Sequence, residues 1–101
     1  MDNGAIIGIA KEYARRASLL FPVKRIFLYG SSAKGTSGAE SDIDIAVFVD
    51  RIDGDFLDAE IRLYRIRRDV DDRIEPILIN EATDKSGFAE EVEKTGILIY
   101  G

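Results

Sequence analysis

The chain has 101 residues and a net charge of −5, so it is long enough for one small domain, and broad binding to nucleic-acid phosphates is disfavoured. Hydrophobic residues make up 46% and charged residues 33%, a composition typical of a globular protein and not of a disordered one. Cysteine and histidine are absent, which excludes disulfides, thiol nucleophiles and imidazole ligands, so any metal must bind oxygen ligands of the kind that Mg²⁺, Mn²⁺ and Ca²⁺ prefer.

The first half of the chain predicts a helix followed by two strands. Over residues 4–20, apolar side chains recur at three- and four-residue steps, the spacing of an amphipathic helix: Ile6, Ile9, Ala10, Tyr13, Ala17 and Leu20. Residues 24–29 are β-branched and aromatic and stop at Gly30, which predicts a strand. Residues 42–49 predict a second strand, and its second half, apolar on both faces, indicates a central place in a sheet.

Helical spacing returns over residues 56–70, after a polar turn around Gly54. An apolar stripe predicted to face the core consists of Phe56, Ala59, Leu63, Ile66 and Val70, widened by Leu57, Ile61 and Tyr64. Four arginines follow the other flank: Arg62, Arg65, Arg67 and Arg68. They are typical of a solvated helix face, and the alternative is contact with an anion or a partner.

The end of the chain predicts a third strand, a short helix and a final apolar stretch. Residues 73–79 form the strand, and Pro76 cannot donate to a ladder, so this strand lies at a sheet edge or is irregular there. Residues 86–95 form the helix, which ends at Gly96. Residues 97–100 are either a strand or a docked tail.

No apolar stretch approaches the ~20 residues of a membrane-spanning helix, and the N-terminus lacks the pattern of a signal peptide. We therefore expect a soluble protein of the cytoplasm. A membrane is not among its expected partners.

A pair of carboxylates opens the second strand. Residues i and i+2 of a strand point to the same face, so Asp42 and Asp44 are predicted to stand side by side. Two carboxylates this close repel unless a cation lies between them, and such a pair can bridge two divalent ions at the ~3.5–4 Å of two-metal sites. On its own the pattern is weak, because Asp42 could equally cap a turn and Asp44 could be a solvated residue at a strand end.

A loop of small residues follows the first strand and suggests a phosphate site. Gly30 permits a positive φ or a close approach of backbone, and the amides after it, with the Ser31 hydroxyl, can donate to phosphate oxygens. A plain turn would need the same residue types. Beside a carboxylate pair, however, such a loop is what transfer from a Mg²⁺-bound triphosphate requires.

Together these residues resemble a known signature. Gly30-Ser31 followed after ten residues by Asp42-x-Asp44 is similar to the motif of DNA polymerase β-type nucleotidyltransferases, and residues 33–35 and 41–47 resemble the minimal members of bacteria and archaea. The resemblance covers nearly the whole chain, so residues 1–101 are expected to form a single minimal nucleotidyltransferase domain. It implies an α/β (α+β) fold, a mixed β-sheet with helices packed mainly on one face.

The resemblance also implies two groups of site residues. The nucleotide phosphates are expected to contact the loop residues Gly30, Ser31, Ser32 and Lys34. The catalytic and metal-binding pair is Asp42 and Asp44, which would hold Mg²⁺, with two ions expected, while ATP is the substrate.

The family usually has a third carboxylate on a later strand. Glu75 is the candidate with a strand context, because Asp71 and Asp72 lie at the end of the preceding helix. It is predicted to complete the catalytic and metal site, as general base for the attacking hydroxyl, or else to be a solvated edge residue. The sequence departs from the family here, since most relatives have Asp at this place and Pro76 directly follows.

The function that this resemblance implies is Mg²⁺-dependent transfer of a nucleoside monophosphate, AMP from ATP, to a hydroxyl acceptor. Minimal members commonly pair with a small helical protein of the higher-eukaryote and prokaryote nucleotide-binding (HEPN) type, in toxin–antitoxin pairs in which the transferase is the antitoxin. One alternative is a catalytically weak binding module that neutralises a helical partner by contact. Another is a small-molecule-modifying enzyme, similar to aminoglycoside nucleotidyltransferases, completed as a homo-oligomer.

Overall fold

The computed structural model describes residues 3–30, 33, 42–52 and 54–101. Their elements, in chain order, are helix α1 (Asn3–Ser18), strands β1 (Arg25–Tyr29) and β2 (Ile43–Val49), helix α2 (Phe56–Ile66) with a 3-10 extension (Arg67–Asp69), strand β3 (Ile74–Asn80), helix α3 (Phe88–Thr95) and strand β4 (Ile97–Tyr100). The predicted order of elements is confirmed, and most boundaries differ by one or two residues.

The four strands form a mixed sheet in the order β3-β2-β1-β4. Strand β1 pairs antiparallel with β2 and with β4, whereas β2 and β3 are parallel. The central place predicted for β2 is confirmed, and so is the edge position predicted from Pro76, because β3 ends the sheet. Of the two readings of residues 97–100, the structure shows the strand.

The sheet separates two hydrophobic layers. Helices α1 and α2 cover one face, where the larger core contains Ile6, Tyr13, Ile45 and Leu63. Helix α3 covers part of the other face through Val92, which packs near Phe27, Phe48 and Ile79. The predicted mixed sheet with helices mainly on one face is therefore confirmed. In the part of the chain that the structure describes, no helix combines the length and apolar character needed to cross a membrane.

One buried hydrogen bond joins the two helices of the larger layer. The hydroxyl of Tyr13 donates to the backbone carbonyl of Leu63 at 2.6 Å, and burial raises the pKa of this tyrosine. In a continuing α-helix that carbonyl would accept from the N–H of Arg67. The Arg67 N–H instead donates to the carbonyl of Arg65, and the chain tightens into the 3-10 turn. The prediction of one continuous helix over residues 56–70 is therefore wrong in its last turn.

Part of the apolar stripe predicted for α2 does not face the core. Ala59 and Leu63 are buried against the sheet, but Leu57, Ile61 and Tyr64 are exposed. The prediction that these three pack inward is wrong, because they lie on the side of the helix opposite its buried residues. Leu20, predicted as part of the α1 stripe, is also exposed, because α1 ends at Ser18.

Candidate active site

Strand register brings the second aspartate of the motif to the middle of a polar cluster. Asp44 is paired with Tyr29 of β1 on one side and with Glu75 of β3 on the other. Alternation along the strands places all three on the sheet face that also carries Ala46 and Ile77 and that α3 covers further along. Strand β3 keeps this alternation through Pro76, which stays in register with its β2 partner.

Asp42 directly precedes β2 and is exposed. Burial raises the pKa of Asp44, and the nearby negative charges of Asp42 and Glu75 raise it further. The carboxylates of Asp42 and Glu75 are therefore both close enough to Asp44 to repel its negative charge. This crowding of negative charge is the condition that a divalent cation would relieve.

Gly30 provides the close approach predicted for it. Its φ is +68°, a conformation that favours glycine, and a Cβ at this position would lie 2.6 Å from Oδ2 of Asp44. The backbone directly after β1 therefore lies against the carboxylate of Asp44 in the neighbouring strand β2. Ser31, Ser32 and Lys34 lie outside the described residues, so their predicted contacts with phosphate stay predictions.

Glu75 is held at the rim of the cluster by an arginine. Its Oε1 lies 3.6 Å from Nη1 of Arg67, and its side chain is 47% exposed. Arg67 is fixed in turn, because its Nη1 donates to the carbonyls of Asp72 (2.8 Å) and Ile74 (3.1 Å). Its Nη2 donates to the hydroxyl of Tyr64 at 2.6 Å. Glu75 therefore stands in the strand position expected for a third carboxylate, with its charge directed partly toward Arg67.

The residues present fit a magnesium site in their chemistry. Asp42, Asp44 and Glu75 offer oxygen donors, which Mg²⁺ prefers, and a bound cation would offset the negative charges that, together with burial, raise the pKa of Asp44. Across residues 3–30, 33, 42–52 and 54–101, no three acidic side chains are gathered as a ready-made metal-binding group. The two aspartates could hold a cation as neighbours at the start of β2, whereas Glu75 lies 3.6 Å from Arg67 and does not form such a group with them.

Two residues that lie near the carboxylates were not predicted from the sequence to belong to the site. The pKa of Tyr29 is raised by burial and by the charges of Asp44 and Glu75, and its ring meets that of Phe88 edge-on, with centroids 5.5 Å apart. Tyr29 could have been found, because it directly precedes Gly30 at the end of a predicted strand. Arg67 could not, because its contacts depend on how α2 meets β3.

A cleft of about 470 Å³ opens beside β3. It lies between β3 and the start of α3, and its lining includes Ile77, Ile79, Lys85 and Phe88. Phe88 also contacts Tyr29, the β1 neighbour of Asp44, but the described lining of the cleft contains none of the three carboxylates.

The chain is similar to known proteins over nearly its whole length. Residues 9–101 match the family described as "Polymerase beta, Nucleotidyltransferase". A protein of Methanocaldococcus jannaschii named "Putative protein adenylyltransferase MJ0141" is 31% identical over 98 residues, which cover 91% of this chain and 96% of that protein.

Solved structures share the fold. The "crystal structure of a putative nucleotidyltransferase from Sulfolobus solfataricus" is 23% identical and has a TM-score of 0.67, covering 95% of this chain and 80% of that one. The "crystal structure of the toxin-antitoxin with AMP-PNP" is 21% identical with a TM-score of 0.68, covering 90% and 73%. The family match, the relative and the geometry agree with the motif read from the sequence: the chain belongs to the polymerase β-type nucleotidyltransferases.

Proposed function

We propose that the protein transfers AMP from Mg²⁺-bound ATP to a hydroxyl group of a protein. The observation that carries this proposal is the register of the strands, which gathers Gly30, Asp44 and Glu75 at one end of the sheet. A relative named as a protein adenylyltransferase supports the choice of AMP and of a protein acceptor.

Each residue has a proposed part in the reaction. Asp42 and Asp44 hold Mg²⁺, which when bound neutralises phosphate charge and polarises the α-phosphoryl group. The loop from Gly30 through Ser31, Ser32 and Lys34 donates to the phosphates. The acceptor oxygen attacks the α-phosphorus, the bond from that phosphorus to the bridging oxygen breaks, and pyrophosphate leaves. The proton of the hydroxyl passes to Glu75 as general base.

We propose further that the acceptor is a small helical protein of the HEPN type and that the pair acts as toxin and antitoxin. A solved structure with the same fold is a toxin–antitoxin complex with AMP-PNP, which supports this setting and the use of ATP. A second structure of the same fold, 20% identical with a TM-score of 0.62, is also a toxin–antitoxin complex.

A second candidate function is a binding module with little catalysis. The contact between Glu75 and Arg67 favours it, because it directs the third carboxylate partly away from Asp44. Such a module would bind nucleotide or the helical partner and neutralise the partner by contact alone.

Radiolabelled ATP separates these functions. The purified chain is incubated with Mg²⁺, the protein encoded by the neighbouring gene, and ATP labelled at the α-phosphate or, in a parallel sample, at the γ-phosphate. Adenylyl transfer places the α label, and not the γ label, on the acceptor. A tight complex without either label would establish the binding module, and a γ label alone would show phosphoryl transfer and overturn the proposal.

Two variants connect the result to the site. Asp44→Asn is expected to abolish labelling, because it removes a metal-binding charge. Asp50→Asn is the matched control, an exposed aspartate at the other end of β2, and it should label like the unchanged protein.

A further inference from the structure

Helix α2 is apolar on two opposite sides, and the described structure covers one of them. Ala59 and Leu63 are buried against the sheet. Leu57, Ile61 and Tyr64, here named the α2 stripe, are 60%, 42% and 48% exposed. Steps of four and three residues place them on one face of the helix, two turns long. A contiguous exposed apolar face of this kind is typical of an interaction surface.

The aromatic member of the stripe is fixed in place before any partner binds. Arg67 donates to the hydroxyl of Tyr64 at 2.6 Å, and its guanidinium carbon lies 3.9 Å from the centre of the ring. Arg67 itself is anchored by its bonds to two backbone carbonyls. A tyrosine that is already ordered loses little side-chain entropy on binding, and tyrosine and arginine are common at the energetic centres of protein interfaces.

Positive charge predominates beside the stripe, in a chain whose net charge is negative. Arg65 and Arg68 lie on its side of α2 and of the turn that follows, and neither has an acidic partner among the described residues. Arg62 is neutralised by Asp58 at 3.0 Å. Glu60 lies on the opposite border. Apart from the Arg62–Asp58 pair, the charges beside the stripe are therefore two positive and one negative, a net positive charge.

We propose that the α2 stripe is a docking surface for a helix of a different protein, one with apolar residues at three- and four-residue steps flanked by Asp and Glu. Apolar ridges of two helices pack into one another at this spacing, and acidic flanks would pair with Arg65 and Arg68. A second copy of this chain would bring together two faces with the same positive surplus, so the charges favour a different chain.

The surface adjoins the catalytic cluster. Arg67 contacts Tyr64 on one side and lies 3.6 Å from Glu75 on the other. A helix seated on the stripe therefore lies one side chain away from the third carboxylate. The contacts that support this docking surface are independent of the proposed function. Only the idea that the surface presents an acceptor to the carboxylates rests on that function.

A designed peptide tests the surface directly. The probe is a fluorescein-labelled helix of about 21 residues with leucine at the a and d positions of each heptad and glutamate at e and g, where the glutamates keep it from pairing with itself. The control peptide has the same sequence with lysine in place of every glutamate. Anisotropy titrations against the full chain should show saturable binding of the acidic peptide and much weaker binding of the basic one.

Variants on and off the stripe complete the test. Ile61→Asp should weaken binding by about tenfold or more, the usual effect of removing a central contact. Arg65→Glu with Arg68→Glu should reverse the peptide preference. Leu19→Asp is the control, because Leu19 is an apolar residue that is 75% exposed just after α1, outside the stripe. This variant should bind the acidic peptide like the unchanged chain.

Several results would overturn the proposal: no saturable binding, equal binding of the two peptides, or equal affinity of the Ile61→Asp and Leu19→Asp variants. A dimer of the free chain in sedimentation equilibrium that Ile61→Asp dissolves would assign the stripe to a second copy instead. Binding of Mg²⁺-ATP to the Ile61→Asp variant, measured in parallel, keeps this outcome separate from failure of the proposed function, because Ile61 lies outside the nucleotide site.

Discussion

Asp44 is the carboxylate on which the charges of both neighbouring acidic residues, Asp42 and Glu75, act. It is partly buried, faces Tyr29 and Glu75 across the sheet, and has its carboxylate against Gly30. Burial and the charges of Asp42 and Glu75 raise its pKa. The folded protein therefore favours the protonated form of Asp44 more than the unfolded chain does, so ionised Asp44 lowers the free energy of unfolding when no cation is bound.

Replacing Asp44 by Asn should therefore stabilise the metal-free protein at neutral pH or leave its stability unchanged. The stability that the protonated form contributes is present below the ordinary pKa of 3.8 and is lost as pH rises through the raised value. The gain of Asp44→Asn over the unchanged chain should thus be present at pH 7 and vanish in strong acid. Thermal unfolding in EDTA across this range measures it, with Asp50→Asn as control. A large loss of stability at pH 7 would show that Asp44 is a structural residue.

The proposed role of Glu75 as general base can be tested by a single substitution. Glu75→Gln keeps the shape of the side chain and its place on β3, and it removes the proposed base. A general base contributes about 10²–10⁴-fold to a rate. Transfer of the α label should fall by about that factor, while Mg²⁺-ATP binding is largely kept.

The matched control for Glu75→Gln is Glu90→Gln, an acid on α3 away from the carboxylates. This variant should transfer at the unchanged rate. If Glu75→Gln did the same, Glu75 would be a bystander at the sheet edge, and the binding module would be the better description.

At the scale of elements, the sheet was predictable from local patterns. Alternation along β2 and the apolar character of its second half indicated a central strand, and Pro76 indicated an edge strand, since both depend on residues near in sequence. The positions of Gly30 and Asp44 follow from the same local rules.

The inward face of α2 and the end of that helix were not predictable in this way. Periodicity indicates which residues share a side of a helix, but it does not say how wide a face the sheet can cover, and so Ile61 was wrongly placed in the core. The hydroxyl that donates to the carbonyl of Leu63 belongs to Tyr13, which is 50 residues away in the sequence. The contact of Arg67 with Glu75 depends on the same helix end, so it has no signal in local sequence.

Tyr13→Phe tests the contact between α1 and α2. It keeps the ring and leaves the buried carbonyl of Leu63 without this donor. An unsatisfied buried acceptor costs about 1–3 kcal/mol, so the free energy of unfolding should fall by about that amount. Denaturant unfolding measures the change.

Tyr100→Phe is the control, because this tyrosine is partly exposed on β4, and its unfolding should match that of the unchanged chain. Equal stability of the Tyr13→Phe variant would mean that another donor satisfies the carbonyl, so that the end of α2 has a different cause.

At the scale of the whole molecule, the two proposals use neighbouring regions. The carboxylate cluster lies at one end of the sheet, and the α2 stripe lies beyond Arg67, on the outside of the layer that covers the opposite face. The chain as a whole is acidic, so the arginines of α2 form a local exception to its charge. A nucleotide site bordered by a protein-docking face is the arrangement that modification of a protein acceptor requires.

The central claim is that Asp44 and its neighbours bind Mg²⁺ together with ATP, and calorimetric titration of ATP into the chain tests it most directly. Binding should require Mg²⁺, should weaken by about tenfold or more in Asp44→Asn, as is usual when a metal-site residue is lost, and should be unchanged in Asp50→Asn. Binding of equal affinity in EDTA, or in the Asp44→Asn variant, would contradict the account.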